Sequence, residues 1–157
     1  AQIYEATGRT QEAFRTWEEL LFAEYGIISA TLTCMYMSVL KSGDLEKAHL
    51  LADKQSEMAK CFEMGKYYEV SPKLELATME KDAEAVVNIM QDMLSGLDAL
   101  SGFRKSRLYE HMTFREFSPE FIIQAKKFLW NSFKDEGTFG FLKGDEHWPA
   151  LSRAGDA

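Results

Sequence analysis

Histidines, cysteines and paired carboxylates are the side chains from which a catalytic or metal site is built. This 157-residue chain holds His49, His111, His147, Cys34 and Cys61. The histidines show neither the HExxH pattern nor any paired-ligand spacing, and the cysteines form no CxxC, so neither a metal site nor a bound cofactor is expected. Cys34 and Cys61 fall among apolar residues at helical spacing, which predicts buried, reduced thiols. Glu18-Glu19 and Asp135-Glu136 could be imagined as acid and base, but adjacent helical residues point in different directions and solvated charge is the simpler account. There is no GxSxG elbow and no GxxxxGK loop, and Gly137, Gly140 and Gly144 do not open a helix after a strand. No catalytic residue is assigned, and the chain reads as a binding protein rather than an enzyme.

The elements that would position a binding surface are helices. Reading for internal repeats, one phrase occurs three times: Gly8-Arg9-Thr10-Gln11-Glu12-Ala13, Gly43-Asp44-Leu45-Glu46-Lys47-Ala48 and, more weakly, Lys81-Asp82-Ala83-Glu84-Ala85-Val86, at intervals of 35 and 38 residues. Each is a turn, a polar first helical turn, and a small or slim residue where the new helix crosses the old one. Helical periodicity surrounds them. Ala13, Phe14, Trp17, Leu20 and Leu21 make one apolar face, and Ile28, Leu32, Met35, Tyr36 and Val39 another. Leu45, Ala48, Leu51 and Ala52 form a narrower stripe, and Val86, Met90, Met93 and Leu94 a clear one. No long alternating run precedes residue 137. Ser71-Pro72 admits either a break between Gly65 and Ser71 or a kink in a longer helix.

Tyr4, Gly8, Ala13, Trp17 and Leu20 fall at the spacing of the tetratricopeptide consensus, and the first repeat resembles that family. The second departs from it at Ala52 and Gln55, the third at Lys81 and Pro72. The resemblance implies an all-α fold of helical-hairpin repeats in a right-handed solenoid, with repeats over about 1–26, 27–64 and 65–101. It also implies that Trp17 is buried between helices, and that the first helix of each pair lines a concave face. In that register the ligand-binding residues are Gln2, Glu5, Thr33, Met37, Lys41, Tyr68, Ser71, Glu75 and Thr78. They mix donors, acceptors, a cation, a tyrosine and a methionine, as an extended peptide requires.

Ser118-Pro119-Glu120 opens a further helix, near 119 to 134, with Phe121, Ile122, Ala125, Phe128, Leu129 and Phe133 on one face. It lacks the turn phrase and reads as a cap on the solenoid, with a tail completing 118–157. Phe139, Phe141, Leu142 and Trp148 of that tail form an aromatic patch suited to homodimerisation.

The whole array is similar to the C-terminal regulatory halves of Xre-type helix-turn-helix transcription regulators of Gram-positive bacteria. Three phrases carry this: Tyr4-Glu5-Ala6-Thr7-Gly8-Arg9-Thr10, Phe62-Glu63-Met64-Gly65-Lys66-Tyr67-Tyr68-Glu69 and Leu108-Tyr109-Glu110-His111-Met112. The resemblance implies a ligand- or peptide-sensing and dimerising module whose DNA is held by a separate N-terminal domain. The opening Ala1-Gln2-Ile3-Tyr4-Glu5-Ala6 reads as a helix already under way, so a fragment lacking that domain is expected. A scaffold or adaptor that holds another protein is the alternative.

The net charge of −7 argues against direct nucleic-acid contact, because phosphate binding draws on clustered Lys and Arg. Arg104, Lys105 and Arg107, and Lys126 and Lys127, each have acidic neighbours and read as solvated faces. The apolar stretch from Ile27 to Leu40 is interrupted by Ser29, Thr31, Thr33 and Ser38, so no membrane span and a cytoplasmic location are expected.

Overall fold

Four helices end in the same way. A residue with positive φ donates its backbone N–H to the carbonyl three residues back, and the next residue donates to the carbonyl five residues back. The stops lie at Gly8 (φ 77°), Gly43 (φ 75°), Glu63 (φ 53°) and Lys81 (φ 55°). At the second, Gly43 reaches Leu40 at 3.1 Å and Asp44 reaches Val39 at 3.3 Å; at the last, Lys81 reaches Thr78 and Asp82 reaches Ala77. Paired bonds of this kind satisfy the carbonyls a helix leaves open at its end. Three of the four stops are the turn phrases of the sequence. Lys81 adopts the left-handed conformation without being glycine, at a cost of roughly 1–2 kcal/mol. Asp44 and Asp82 then cap the next helices, accepting from Lys47 at 3.1 Å and Ala85 at 3.0 Å.

The computed structural model describes residues 1–144 and Trp148, so His147 and the rest of the tail from 145 to 157 lie outside the described residues. The helices are α1 (Gln2–Ala6), α2 (Thr10–Ser42), α3 (Leu45–Cys61), α4 (Lys66–Val70), α5 (Leu74–Met79), α6 (Ala83–Leu97), α7 (Pro119–Phe133) and α8 (Glu136–Phe139). The fold is all-α, with no strand among the described residues.

The largest departure from expectation is α2, a single helix of 33 residues running through the expected repeat boundary at 26–27. Gly26 is the only helix-weakening residue there, and one glycine costs a helix only about 1 kcal/mol. Because the chain does not fold back at this point, no helix among the described residues covers the face of Phe14, Trp17 and Leu20. Trp17 is 36% exposed and not buried between helices. Ile28 and Met35 are exposed as well, while Tyr36 and Leu40 turn inward onto α3. Among the described residues, α2 is the one helix long and apolar enough to cross a membrane by length and composition. The interrupted stretch between Ile27 and Leu40 is part of this longer helix, Thr10–Ser42, which has further apolar residues on its amino-terminal side.

Gly65 (φ 96°) breaks the chain after Met64. From Lys66 to Met79 the backbone then stays helical, with a 3-10 turn at Ser71–Lys73 where Pro72 sits. Ser71 has ordinary right-handed helical angles and caps nothing. The break falls at Gly65, at the start of the expected Gly65 to Ser71 window, and α4 and α5 are joined through the 3-10 turn around Pro72.

Three apolar clusters hold the helices together. An aromatic one joins Tyr25 of α2 to Ala59, Met64, Phe103 and Tyr109, with Phe22 edge-on to Tyr109 at 5.5 Å. A second packs Tyr36 and Leu40 on Ala48, Leu51, Ala52 and Leu76. The third sets Val86, Met90 and Met93 of α6 against Trp130 and Phe133 of α7. The expected helix after Ser118 is present, and Ser118 caps it by accepting from Phe121 at 3.2 Å. Its buried side is rotated from expectation: Trp130 is inside, whereas Phe121 is exposed and Phe128 is 76% exposed. Lys126 is not free charge but meets Asp98 beyond the end of α6 at 2.5 Å.

Candidate functional site

The kinked run from Lys66 to Met79 lies across α3 and beside the middle of α2, and a cleft of about 260 Å³ opens between the three. Each wall follows from local sequence. The α2 wall consists of Tyr25, Ser29, Thr33, Tyr36 and Met37, which share one side of a helix at spacings of three and four. Gln55 of α3 forms the floor. Tyr68, Ser71, Pro72 and Glu75 close the opposite wall; Pro72 tightens the chain so that residues on both sides of the kink face the same space.

Of the nine residues expected to bind a ligand, Thr33, Met37, Tyr68, Ser71 and Glu75 are brought together here. Gln2 and Glu5 are exposed on α1, and Lys41 is exposed at the far end of α2; none of the three lines the cleft. Thr78 spends its hydroxyl on the Leu74 carbonyl at 2.8 Å. Tyr25, Ser29, Tyr36, Gln55 and Pro72 were not anticipated as lining residues. Gln55 carried the clearest signal, as a polar residue continuing the apolar stripe of α3.

Two polar groups at this site are buried without a hydrogen-bond partner among the described residues: the Tyr36 hydroxyl and Gln55 Nε2. Tyr36 is 4% exposed and Gln55 7%. An orphaned buried group costs about 1–3 kcal/mol, and two of the five such groups among the described residues belong to side chains that line this cleft. The other end of Gln55 is anchored, since Thr33 Oγ1 lies 3.1 Å from Gln55 Oε1. Burial pushes the Tyr36 phenol up to about 12; Glu75 and Glu80 add to the shift, and the approach of the Leu76 backbone, short of good hydrogen-bond geometry, opposes it. Burial also raises Tyr25 and Tyr68.

Elsewhere the chemistry-bearing residues serve structure. Glu18, expected to be solvated, is buried. It accepts from the His111 backbone N–H at 2.8 Å and meets His111 Nδ1 at 2.6 Å, and the imidazole stacks on Phe14 at 5.3 Å. Glu19 pairs with Arg15 on the surface at 2.8 Å. Both Cys34 and Cys61 are exposed free thiols, not buried ones: each falls on the outer side of its helix. Arg104 is half-buried, its guanidinium lying over Phe117 at 4.7 Å. Among the described residues no group of three or more His, Cys, Asp or Glu side chains is placed to hold a metal.

The aromatic tail is also placed differently from expectation. Phe139 and Leu142 are buried in the third cluster, with Leu142 fully enclosed, and Phe141 and Trp148 pack against it half-buried. The four residues assigned to dimerisation are packed, wholly or in part, against this chain's own third cluster. Exposed large apolar side chains remain on α2, among them Leu20 and Ile27, and on α7, at Phe121, Ile123 and Phe128.

Fold and site together define an all-helical protein with a tyrosine-walled, polar-floored cleft. No family model matches this chain, and no curated protein or solved structure shows significant similarity to it.

Proposed function

We propose that this chain binds an extended peptide in the cleft between α2, α3 and the run from Lys66 to Met79. The observation that carries the reading is the pair of buried, unpartnered polar groups on Tyr36 and Gln55, both of which line the cleft. A peptide backbone offers a donor and an acceptor at every residue and can satisfy both. Met37 and the rings of Tyr25 and Tyr68 supply adaptable apolar contact for its side chains. In this proposal the helices follow a tetratricopeptide-like, right-handed arrangement modified by the fusion of two of them into α2. The resemblance to Xre-type regulators supplies the setting: a cytoplasmic sensing module, with DNA read by a separate domain.

The exposed side of α2 favours a second reading. Leu20 and Ile27, seven residues apart on one side of α2, are both more than half exposed, and exposed apolar side chains of this kind meet partners. A regulator would use this side of α2 to pair two copies on palindromic DNA, whereas an adaptor would use it to hold a different protein.

Selection of random hexapeptides by display on the purified chain tests the main reading. The expected outcome is an enriched set that loses binding to Gln55→Leu and Met37→Lys but not to Lys41→Ala. Failure to enrich any peptide, or binders indifferent to Gln55→Leu, would overturn it.

A further inference from the structure

Resting on the peptide-binding reading, we infer that the group taken deepest into the cleft is a primary ammonium, either a peptide's free N-terminus or a lysine side chain, with an amide beside it. Charge is the first ground. Among the described residues Glu75 is the one charged residue lining the cleft, and no Lys, Arg or His lines it. Lys54, next to Gln55 in the chain, pairs with Glu57 at 2.6 Å, and Lys73, next to Pro72, with Asp53 at 2.6 Å, so the cations adjacent in sequence are already paired.

The walls agree with that sign. Tyr25, Tyr36 and Tyr68 all line the same space, and the negative face of an aromatic ring attracts a cation, the more so where water is excluded. The carboxylates of Glu75 and Glu80 oppose ionisation of the Tyr36 phenol, which marks the potential around that hydroxyl as negative.

The floor supplies hydrogen bonds. An ammonium is a three-way donor and needs oxygen acceptors. Thr33 Oγ1 has one hydrogen but two acceptors in reach, the Ser29 carbonyl at 2.9 Å and Gln55 Oε1 at 3.1 Å. With that hydrogen on Ser29, the Gln55 carboxamide can turn over, donate from Nε2 to Thr33, and present Oε1 to the cleft. Gln55 Oε1, the Tyr36 hydroxyl and the Glu75 carboxylate, all on residues that line the cleft, are the acceptors this inference assigns to the ammonium. Without the turn, Nε2 is left to donate to the carbonyl of the adjoining amide. At about 260 Å³ the cleft is smaller than the roughly 300–1,000 Å³ of a drug-sized site. It accommodates one end of a ligand, which suits a terminal or side-chain ammonium better than the middle of a chain.

The test is nuclear magnetic resonance of the whole chain, following the side-chain amide of Gln55 during titration with four capped or uncapped tripeptides. These are Ala-Ala-Ala amide with a free N-terminus, acetyl-Ala-Lys-Ala amide, acetyl-Ala-Ala-Ala amide and acetyl-Ala-Glu-Ala amide. At least one ammonium-bearing probe should move the Gln55 resonances at concentrations about three- to tenfold below the neutral probe, with the acidic probe weakest. Which of the two does so separates a terminal from a side-chain ammonium. Glu75→Gln, an exposed and conservative change, should bring the ammonium probe close to the neutral one. Equal or tighter binding of the neutral or acidic probe would overturn the ammonium inference while leaving peptide binding standing. No shift of Gln55 with any probe would overturn both.

Discussion

Thr33 of α2 and Gln55 of α3 meet across the cleft floor at 3.1 Å, although 22 residues separate them in the chain. The contact fixes one end of a buried carboxamide and leaves the other without a partner among the described residues. Thr33→Val removes the anchor while keeping the side chain's shape. The expected outcome is a loss of peptide affinity of about fivefold or more with at most about 1 kcal/mol of stability lost, because the threonine is exposed and its hydroxyl otherwise only back-bonds to Ser29. Chemical denaturation and a binding titration on the same protein check both halves.

Glu18 and His111 form another long-range polar contact, bridging α2 to the segment before α7. Removing a buried carboxylate that accepts two hydrogen bonds leaves the His111 N–H without its partner. Glu18→Ala is therefore expected to cost about 2–3 kcal/mol, against less than about 0.5 kcal/mol for Glu19→Ala on the surface. Urea unfolding of the two variants decides between them.

Two glycines should respond in opposite directions to the same substitution. A Cβ on Gly96 would sit 2.7 Å from the Tyr67 backbone nitrogen, so α6 and α4 would have to separate; a Cβ on Gly26 would meet nothing. Gly96→Ala is expected to destabilise by about 1–3 kcal/mol and Gly26→Ala to stabilise by about 1 kcal/mol. Opposite shifts in melting temperature would be the signature, and a destabilised Gly26→Ala would mean that α2 is not continuous at this point.

Tyr36 and Tyr109 both have phenols pushed up to about 12, chiefly by burial. A folded-state value above the unfolded one of about 10 means that the unfolded chain loses these protons first. Their contribution is fully present below about pH 10 and is lost as pH rises from about 10 through 12. Stability should therefore fall over that window, and Tyr36→Phe should make the fall shallower. Denaturant unfolding at stepped alkaline pH measures the slope.

The sequence made the helix stops legible because each depends on a few adjacent residues. The phrases at Gly8, Gly43 and Lys81 contain both the left-handed position and the polar first turn that follows. What they could not show is which helices fold back. The continuity of α2 across Gly26 turns on the absence of a break, and a periodic apolar face looks the same whether a neighbour covers it or not. Trp17 and Phe128 were misplaced for that reason. At the cleft, the family register found Thr33, Met37, Tyr68, Ser71 and Glu75, which follow from helix geometry. It also assigned Gln2, Glu5, Lys41 and Thr78, which do not line the cleft, because the first three depend on the ends of α1 and α2 curving around a shared surface. Gln55 was read only as a departure from the repeat pattern, and its partner Thr33 lies on another helix and could be supplied only by the fold.

Self-association should track α2 and not the tail. If the exposed side of α2 pairs two copies, Ile27→Glu will shift sedimentation equilibrium from dimer to monomer, while Phe141→Ala, in a side chain packed against the core, will not. Dimers abolished only by the tail substitution would return the interface to the carboxy-terminal aromatics.

The claim that Gln55 is kept for binding rather than for folding is tested most directly by measuring Gln55→Leu twice, once by thermal unfolding and once by titration with a display-selected hexapeptide. Leucine fills a similar volume without burying an unpartnered group, and Thr33 retains its bond to Ser29. The account predicts a gain of about 1 kcal/mol, or roughly 2–4 °C in melting temperature, together with loss of peptide binding. A lower melting temperature with peptide affinity unchanged would contradict it.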